Sequence, residues 1–85
     1  MTFPIELLTT FIAVAESGSF TKAAESIHRT QSAVSMQMRR LEGLSGQPLF
    51  DKKGRSVTIT PAGETLLGYA RRMIAIHDEA LSAMT

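Results

Sequence analysis

The chain has 85 residues, a formal net charge of +1, 44% hydrophobic residues and no cysteine. These numbers suit one small domain and exclude disulfides and thiolate metal sites. The first residues, MTFPIELLTTF, lack the basic region and apolar run of a signal peptide, and no run approaches the roughly 18 apolar residues of a membrane span. We therefore expect a cytoplasmic protein without a membrane partner.

Two helices are predicted in the N-terminal third of the chain. Apolar residues recur with helical spacing from Ile5 to Ala15, and Gly18 is a typical C-terminal cap for this first helix. A short second helix is predicted at about 20–27. Its N-cap is either Ser19 or Thr21, since both residue types accept hydrogen bonds from the first turn of a helix.

A third helix is predicted to begin at Gln31, because Thr30 is a good N-cap. Either Gly43 or Gly46 can end it. Its buried face, spaced by four and then three residues, consists of Val34, Met38 and Leu41.

A β-hairpin and a last helix complete the chain. Residues 49–60 are predicted to form two strands, since Gly54 lies in a polar turn and SVTIT alternates polar and apolar residues. Thr60 is a suitable cap for the last helix, and Pro61 suits its first position. This helix is predicted to run almost to the end of the chain.

The second and third helices are predicted to form a helix-turn-helix. Two helices that meet close to a short turn need a small residue where they touch, and Ala24 fits this position. Val34, ten residues later, is the apolar residue that returns from the third helix to the core. The turn between the two helices is therefore placed at about 28–30.

Polar side chains are predicted on the outer face of the third helix, opposite Val34, at about 100° per residue. Gln31 lies at the N-terminal tip of this face. The other residues of the face are Ser32, Ser35, Met36, Arg39 and Arg40. A recognition helix has this arrangement, because its N-terminal side chains reach base edges in the major groove of DNA. The neighbouring KKGR turn is suited to a wing that touches the backbone or the minor groove.

The charge distribution agrees with a polyanionic partner. Residues 28–56 carry six basic and two acidic side chains, a net charge of +4, whereas the rest of the chain carries −3. A positive middle between acidic ends fits a surface that faces a polyanion. Taken alone, it fits equally well a charged surface that faces only water.

Five motifs give the sequence a family resemblance. SFTKAAE, TQSAVS, RRLE, PLF and TPAG occur in this order, and residues 7–84 resemble the DNA-binding domain of LysR-type transcriptional regulators. The resemblance implies a mainly α fold: a winged helix-turn-helix of three helices and a short two-stranded β-hairpin in residues 1–60, then a linker helix in residues 61–85 that dimerises. The family's effector-binding domain is expected to be absent from this chain, so a small-molecule effector is expected only through that domain.

The resemblance also assigns roles to single residues. It implies that Gln31, Ser32 and Ser35 face the bases, that Thr21 and Thr30 approach phosphates, and that Arg55 acts in the wing. Met36 departs from the family pattern, because many members carry a basic or polar residue there. The full set predicted to contact double-stranded DNA is Thr21, Thr30, Gln31, Ser32, Ser35, Met36, Arg39, Arg40, Lys52, Lys53 and Arg55.

The last helix carries two apolar stripes, which predict two packing partners. One stripe alternates spacings of three and four residues, as a coiled-coil seam does. This stripe is predicted to be the homodimer interface and consists of Leu67, Ala70, Ile74, His77, Leu81 and Met84. The second stripe consists of Leu66, Tyr69, Met73, Ile76, Ala80 and Ala83. Alternatively, one stripe covers a domain outside this chain.

A dimer would place two recognition helices in successive major grooves of an interrupted palindrome. No catalytic role, cofactor or metal is predicted, since no nucleophile elbow, phosphate loop or metal motif is present. The competing hypothesis is a winged-helix module that binds another protein. Such a module would need aromatic anchors on the outer face of its third helix, where this chain has arginines and small hydroxyls.

Overall fold

The computed structural model of the chain describes residues 2–54 and 56–85. In these residues four helices and one antiparallel pair of strands follow each other along the chain. They are α1 (Ile5–Ser17), α2 (Phe20–Ser26), α3 (Gln31–Ser45), β1 (Phe50–Lys53), β2 (Ser56–Ile59) and α4 (Pro61–Met84). The predicted mainly α fold with a short hairpin is therefore confirmed.

The hydrophobic core is built around α1, which contacts α2, α3 and α4. Leu8, Phe11 and Val14 of this helix are completely buried. The Phe11 ring lies 5.3 Å from the Phe50 ring, measured between centroids, so the first strand of the hairpin is attached to the core by an aromatic contact.

The structure resolves the two helix boundaries that the sequence left open. The Ser19 hydroxyl accepts a hydrogen bond from the Lys22 N–H at 3.2 Å, so Ser19 caps α2 and Thr21 is exposed in its first turn. The third helix passes through Gly43 and ends at Gly46, whose φ of 74° is the left-handed conformation that favours glycine.

The turn between α2 and α3 contains a Schellman motif with His28 in the left-handed position, at φ 58°. The His28 N–H donates to the Glu25 carbonyl at 3.3 Å, and the Arg29 N–H donates to the Ala24 carbonyl at 2.9 Å. Histidine is one of the few non-glycine residue types enriched in this conformation. These bonds fix the direction in which the chain leaves α2 and enters α3.

The hairpin pairs Phe50 with Ile59 at its base and Lys53 with Ser56 at its tip. Its second strand is attached to the body of the domain by the Val57 N–H, which donates to the Gly18 carbonyl at 3.2 Å. The hairpin therefore stands beside α2, as a wing does.

The last helix, α4, is 24 residues long, which corresponds to about 36 Å at 1.5 Å per residue. Its first half packs on the domain, where Arg71 forms an ion pair of 3.6 Å with Glu16 of α1. Beyond Ala75 its side chains are exposed, except the half-buried His77. None of the helices in the described part of the chain is long and apolar enough to cross a membrane.

Candidate nucleic-acid interface

The outer face of α3 forms one continuous surface. Val34, Met38 and Leu41 are buried, as predicted, and they fix the opposite side of the helix against the core. A shallow depression on the solvent side is lined by Gln31, Ser32, Ser35, Met36 and Arg39. The structure thus brings together five residues that the sequence analysis placed on one face. Arg40 is exposed next to them.

A hydrogen bond between side chains fixes α3 against α1. The Thr10 hydroxyl donates to Gln37 Oε1 at 2.6 Å, and Thr10 is buried. A short bond between partly buried polar groups specifies one relative position of two helices more narrowly than apolar contacts do. Sequence reasoning missed this pair, because both residues are polar types that usually face solvent.

The N-terminal end of α3 carries linked hydroxyl groups. Thr30 is the N-cap, as predicted, because its Oγ1 accepts from the Ala33 N–H at 3.1 Å. The same oxygen lies 3.3 Å from the Ser32 hydroxyl. These two hydroxyls therefore satisfy part of each other's hydrogen-bonding capacity, whereas Gln31 and Ser35 make no side-chain hydrogen bond in the described residues.

A second group of predicted residues meets in the cleft between α2, the tip of α3 and the hairpin. Thr21, Gln31 and Lys52 all line this cleft, together with Lys22. Lys52 is held there by an aromatic contact, since its Nζ lies 4.6 Å from the centroid of the Phe20 ring. Lys22 was not predicted as a contact, although its position in the first turn of α2 places a positive charge in the cleft.

The two lysines of the hairpin differ in their orientation. Neighbouring side chains of a strand point to opposite faces, so Lys53 points away from the face on which Lys52 meets Phe20. Lys53 is exposed at the tip of the hairpin. Arg55, the predicted wing arginine, lies outside the described residues.

Glu42 attaches the recognition helix to the wing. Its Oε2 accepts hydrogen bonds from the Leu49 N–H at 2.7 Å and from the Phe50 N–H at 3.4 Å. A carboxylate that faced DNA would repel the phosphates, but this one is directed at backbone donors. From the sequence alone, Glu42 is only one of two acidic residues in the basic segment 28–56. Its seven-residue distance from Leu49, across a loop, has no regular periodicity that predicts the contact.

The start of α4 meets the same loop. Thr60 Oγ1 donates to the Pro48 carbonyl at 2.7 Å and accepts from the Gly63 N–H at 3.0 Å. Gly63 packs so closely that a Cβ there would overlap the Leu49 carbonyl oxygen and stand 2.5 Å from Ile59 Cγ1. The TPAG motif therefore joins the hairpin to the linker helix.

The cations of the candidate interface are available to an external anion. In residues 2–54 and 56–85 the two ion pairs are Arg71 with Glu16, and His77 with Asp78 if the histidine is protonated. Neither pair uses a cation of α3 or of the hairpin. The exposed guanidinium groups of Arg39 and Arg40 thus keep their donors for a partner such as a phosphate.

The first half of the predicted dimer seam packs against its own protomer. Leu67 and Ala70 are 9% and 0% exposed, because they pack in the core of their own protomer, and Ile74 packs against the same core. A helix that covers a domain shows the same spacing as a coiled-coil seam, so this spacing alone does not assign Leu67 and Ala70 to a dimer interface. Among the other members of the seam, His77 is half-buried, and Leu81 and Met84 are exposed.

Both stripes of α4 contribute exposed apolar side chains, Tyr69 and Ile76 from the second stripe and Leu81 and Met84 from the first. Tyr69 is 53% exposed and Ile76 is 64% exposed. On a helix of 3.6 residues per turn, Ile76 and Ala80 lie within about 20° of Tyr69. Leu66 and Met73 of the second stripe pack against the core.

A family model and close relatives identify the class of protein. Residues 5–64 match the model described as bacterial regulatory helix-turn-helix protein, lysR family. The HTH-type transcriptional regulator DgdR of Burkholderia cepacia is 47% identical over 78 residues, which are 92% of this chain and 26% of DgdR. The HTH-type transcriptional regulator PecT of Dickeya dadantii is 48% identical over 80 residues, or 94% of this chain and 25% of PecT. The chain thus spans about a quarter of the length of these curated relatives.

Solved structures agree with this match. The crystal structure of the CbnR_DBD–DNA complex has a TM-score of 0.87 and 32% identity, and the similarity covers 98% of this chain and 100% of that one. The complex of BenM_DBD with benA site 1 DNA has a TM-score of 0.90 and 33% identity, with coverage of 96% and 92%. The chain therefore belongs to the lysR family of bacterial regulatory helix-turn-helix proteins.

Proposed function

We propose that this chain is the DNA-reading part of a transcriptional regulator and binds double-stranded DNA in a sequence-specific manner. The observation that carries the proposal is the outer face of α3, where a glutamine, two serines and an arginine line one surface around Met36. Related domains solved with DNA, CbnR_DBD and BenM_DBD, support it. The names of its relatives, which are transcriptional regulators, support a role without catalysis.

The mechanism follows from the two surfaces of the candidate interface. The N-terminal part of α3 enters the major groove, where Gln31 can form two hydrogen bonds with an adenine and Ser35 can bond to either kind of base. Arg39 and Arg40 bind phosphates of the groove walls. Lys52 and the hairpin contact the flanking backbone or minor groove, and the hydroxyls of Thr21, in the cleft, and of Thr30, at the N-terminus of α3, approach phosphates.

A protein partner is the weaker candidate for this surface. Interfaces between proteins depend on aromatic and arginine anchors in a desolvated centre. The outer face of α3 has no aromatic side chain in its depression. Hydroxyl, amide and guanidinium groups match base edges and phosphates instead.

Arg39→Ala tests the proposed electrostatics. A mobility shift with duplex DNA should give an affinity that falls steeply with salt, because bound phosphates release counterions. Arg39→Ala should weaken binding to all sequences similarly and reduce the slope of log K against log salt by about one. Arg71→Ala removes a charge that is paired with Glu16 on another surface, so it should leave the slope unchanged. An unchanged slope for Arg39→Ala would contradict a phosphate contact.

Gln31→Ala tests the proposed base contact. The variant should lose about 1–3 kcal/mol of binding free energy on the DNA site that the wild-type protein binds best. It should also show a weaker base preference at one base pair of each half-site. Selection of bound DNA from a random library, followed by sequencing, measures this preference for both proteins. If both proteins select the same sequences, Gln31 does not read a base.

We also propose a homodimer formed through the exposed apolar side chains of α4. In the described residues the exposed large apolar side chains, apart from Met36, all lie on this helix, and they are Tyr69, Ile76, Leu81 and Met84. A surface helix of a monomer needs one apolar face, and the core already uses the face of Leu67 and Ala70. A dimer would present two copies of α3 to an interrupted palindrome.

Ile76→Glu tests the dimer. The substitution places a charge in the proposed interface and should weaken dimerisation about tenfold or more, as measured by sedimentation equilibrium at micromolar concentration. Ala75→Glu adds the same charge on a different, exposed side of α4 and should leave the dimer intact. A wild-type protein that sediments as a monomer under these conditions would refute the dimer.

A further inference from the structure

Met36 is an apolar side chain in a polar surface. It is 66% exposed, and the other large apolar side chains exposed in residues 2–54 and 56–85 lie on α4. It shares its depression with the amide, hydroxyl and guanidinium groups of Gln31, Ser32, Ser35 and Arg39. Because Met36 contributes nothing to the core, the reason for its position lies in what it meets outside the chain.

The chemistry of the side chain limits what it can recognise. A thioether has no hydrogen to donate and is a weak acceptor, so Met36 cannot read guanine as an arginine does or bind a phosphate. It can bury apolar surface, and its three rotatable bonds let it adapt to a small group. The complementary partner is therefore an apolar group within the major groove.

We infer that Met36 contacts the 5-methyl group of a thymine, and that this contact selects thymine at one position of each half-site. The inference rests on the proposed DNA binding by α3. In the code of the major groove the thymine methyl is the apolar element among hydrogen-bond donors and acceptors. Met36 lies five residues after Gln31, about 7.5 Å along the helix, so the thymine lies within about two base-pair steps of the base that Gln31 meets.

Replacement of thymine by uracil tests the contact, since it removes only the methyl group. In a selected site each thymine is replaced singly, and affinity is measured by fluorescence anisotropy at fixed salt. The wild-type protein should lose about fourfold in affinity at one thymine of each half-site, which corresponds to the burial of one methyl group.

Two variants assign the methyl contact to Met36. Met36→Ala should bind the thymine and uracil sites equally at that position, because the apolar partner is gone. Met36→Leu keeps an apolar side chain of similar volume. It should therefore retain most of the difference in affinity between the thymine and uracil sites. Both changes are on an exposed side chain, so neither should affect folding. These measurements form a double-mutant cycle between the Met36→Ala substitution and the thymine-to-uracil replacement. Any general effect of uracil on the duplex cancels in this cycle.

The outcomes separate this inference from the proposed function. If the wild-type protein binds a selected site but tolerates uracil at every thymine, the methyl contact is refuted and sequence-specific DNA binding stands. If Met36→Ala keeps the fourfold difference, another residue makes the contact and the inference is refuted. If the wild-type protein selects no DNA sequence at all, the proposed function fails and the inference fails with it.

Discussion

Gly63→Ala is expected to lower the free energy of unfolding by about 3 kcal/mol, because the added methyl group has no space. A Cβ at this position overlaps the Leu49 carbonyl oxygen, which belongs to the backbone, and stands 2.5 Å from Ile59 Cγ1. A flexible side chain could rotate away, but a carbonyl oxygen can move only with its chain segment. The hairpin and the start of α4 would therefore have to separate.

Gly68→Ala, in the same helix, is the matched control. A Cβ at Gly68 meets nothing within 4 Å. This change should therefore raise the free energy of unfolding by about 1 kcal/mol, because alanine has a higher helix propensity than glycine. Thermal unfolding of both variants at the same protein concentration measures these changes. For a domain of this size the Tm should shift by about 4–8 °C for each kcal/mol of unfolding free energy. If Gly63→Ala and Gly68→Ala changed the Tm by the same amount, the close contact at Gly63 would not exclude a Cβ.

The position of Gly63 links stability to DNA binding. Its neighbour Leu49 also provides the N–H that donates to Glu42 of α3, and Thr60 Oγ1 donates to the Pro48 carbonyl one residue before. The loop before β1 is thus held by the recognition helix on one side and by the linker helix on the other. A displacement of this loop would change the distance between α3 and the wing.

The local signals in the sequence predicted most of the fold. Thr30 and Thr60 are strong helix caps, and the structure uses both hydroxyls in this way. Where two residues of the same type competed, the sequence could not choose. Gly43 and Gly46 both allow a helix to end, and the structure ends α3 at Gly46.

The two stripes of α4 show a second limit of sequence patterns. Periodicity reports that a helix face is apolar, but it does not report what covers that face. Leu67 and Ala70 are covered by the protein's own core, and Tyr69 and Ile76 are exposed. Only the packing of α4 against α1 distinguishes the two cases, and no local property of the four residues predicts it.

The sequence predicted the side chains of the candidate site that share one helix face. It did not predict the hydrogen bonds that join two different elements of the structure. The helical period alone placed Ser32, Met36 and Arg39 opposite the buried Val34, with Ser35 at the flank of this face. The Thr10–Gln37 and Glu42–Leu49 hydrogen bonds join residues that lie 27 and 7 positions apart. Polar contacts of this kind follow from the fold, so they cannot be inferred before the fold is known.

Glu42→Ala is expected to lower the free energy of unfolding by about 3 kcal/mol. Leu49 is buried, and its N–H would lose the charged oxygen that accepts its hydrogen bond, with no other acceptor to replace it. Glu42→Gln keeps an acceptor oxygen without the charge, so it should lose about half as much. Glu64→Ala removes an exposed carboxylate from the first turn of α4 and should cost at most about 1 kcal/mol. Urea unfolding curves measure all three variants.

The same variants show whether Glu42 positions the wing on DNA. Under conditions where Glu42→Ala is fully folded, it should still protect the bases contacted by α3 in a footprinting experiment. Protection of the flanking backbone should be weaker, because β1 is no longer tied to α3 by the bonds to Leu49 and Phe50. Glu42→Gln should be intermediate. If protection by α3 and by the wing falls in parallel in Glu42→Ala, the residue supports the fold as a whole and does not set the position of the wing.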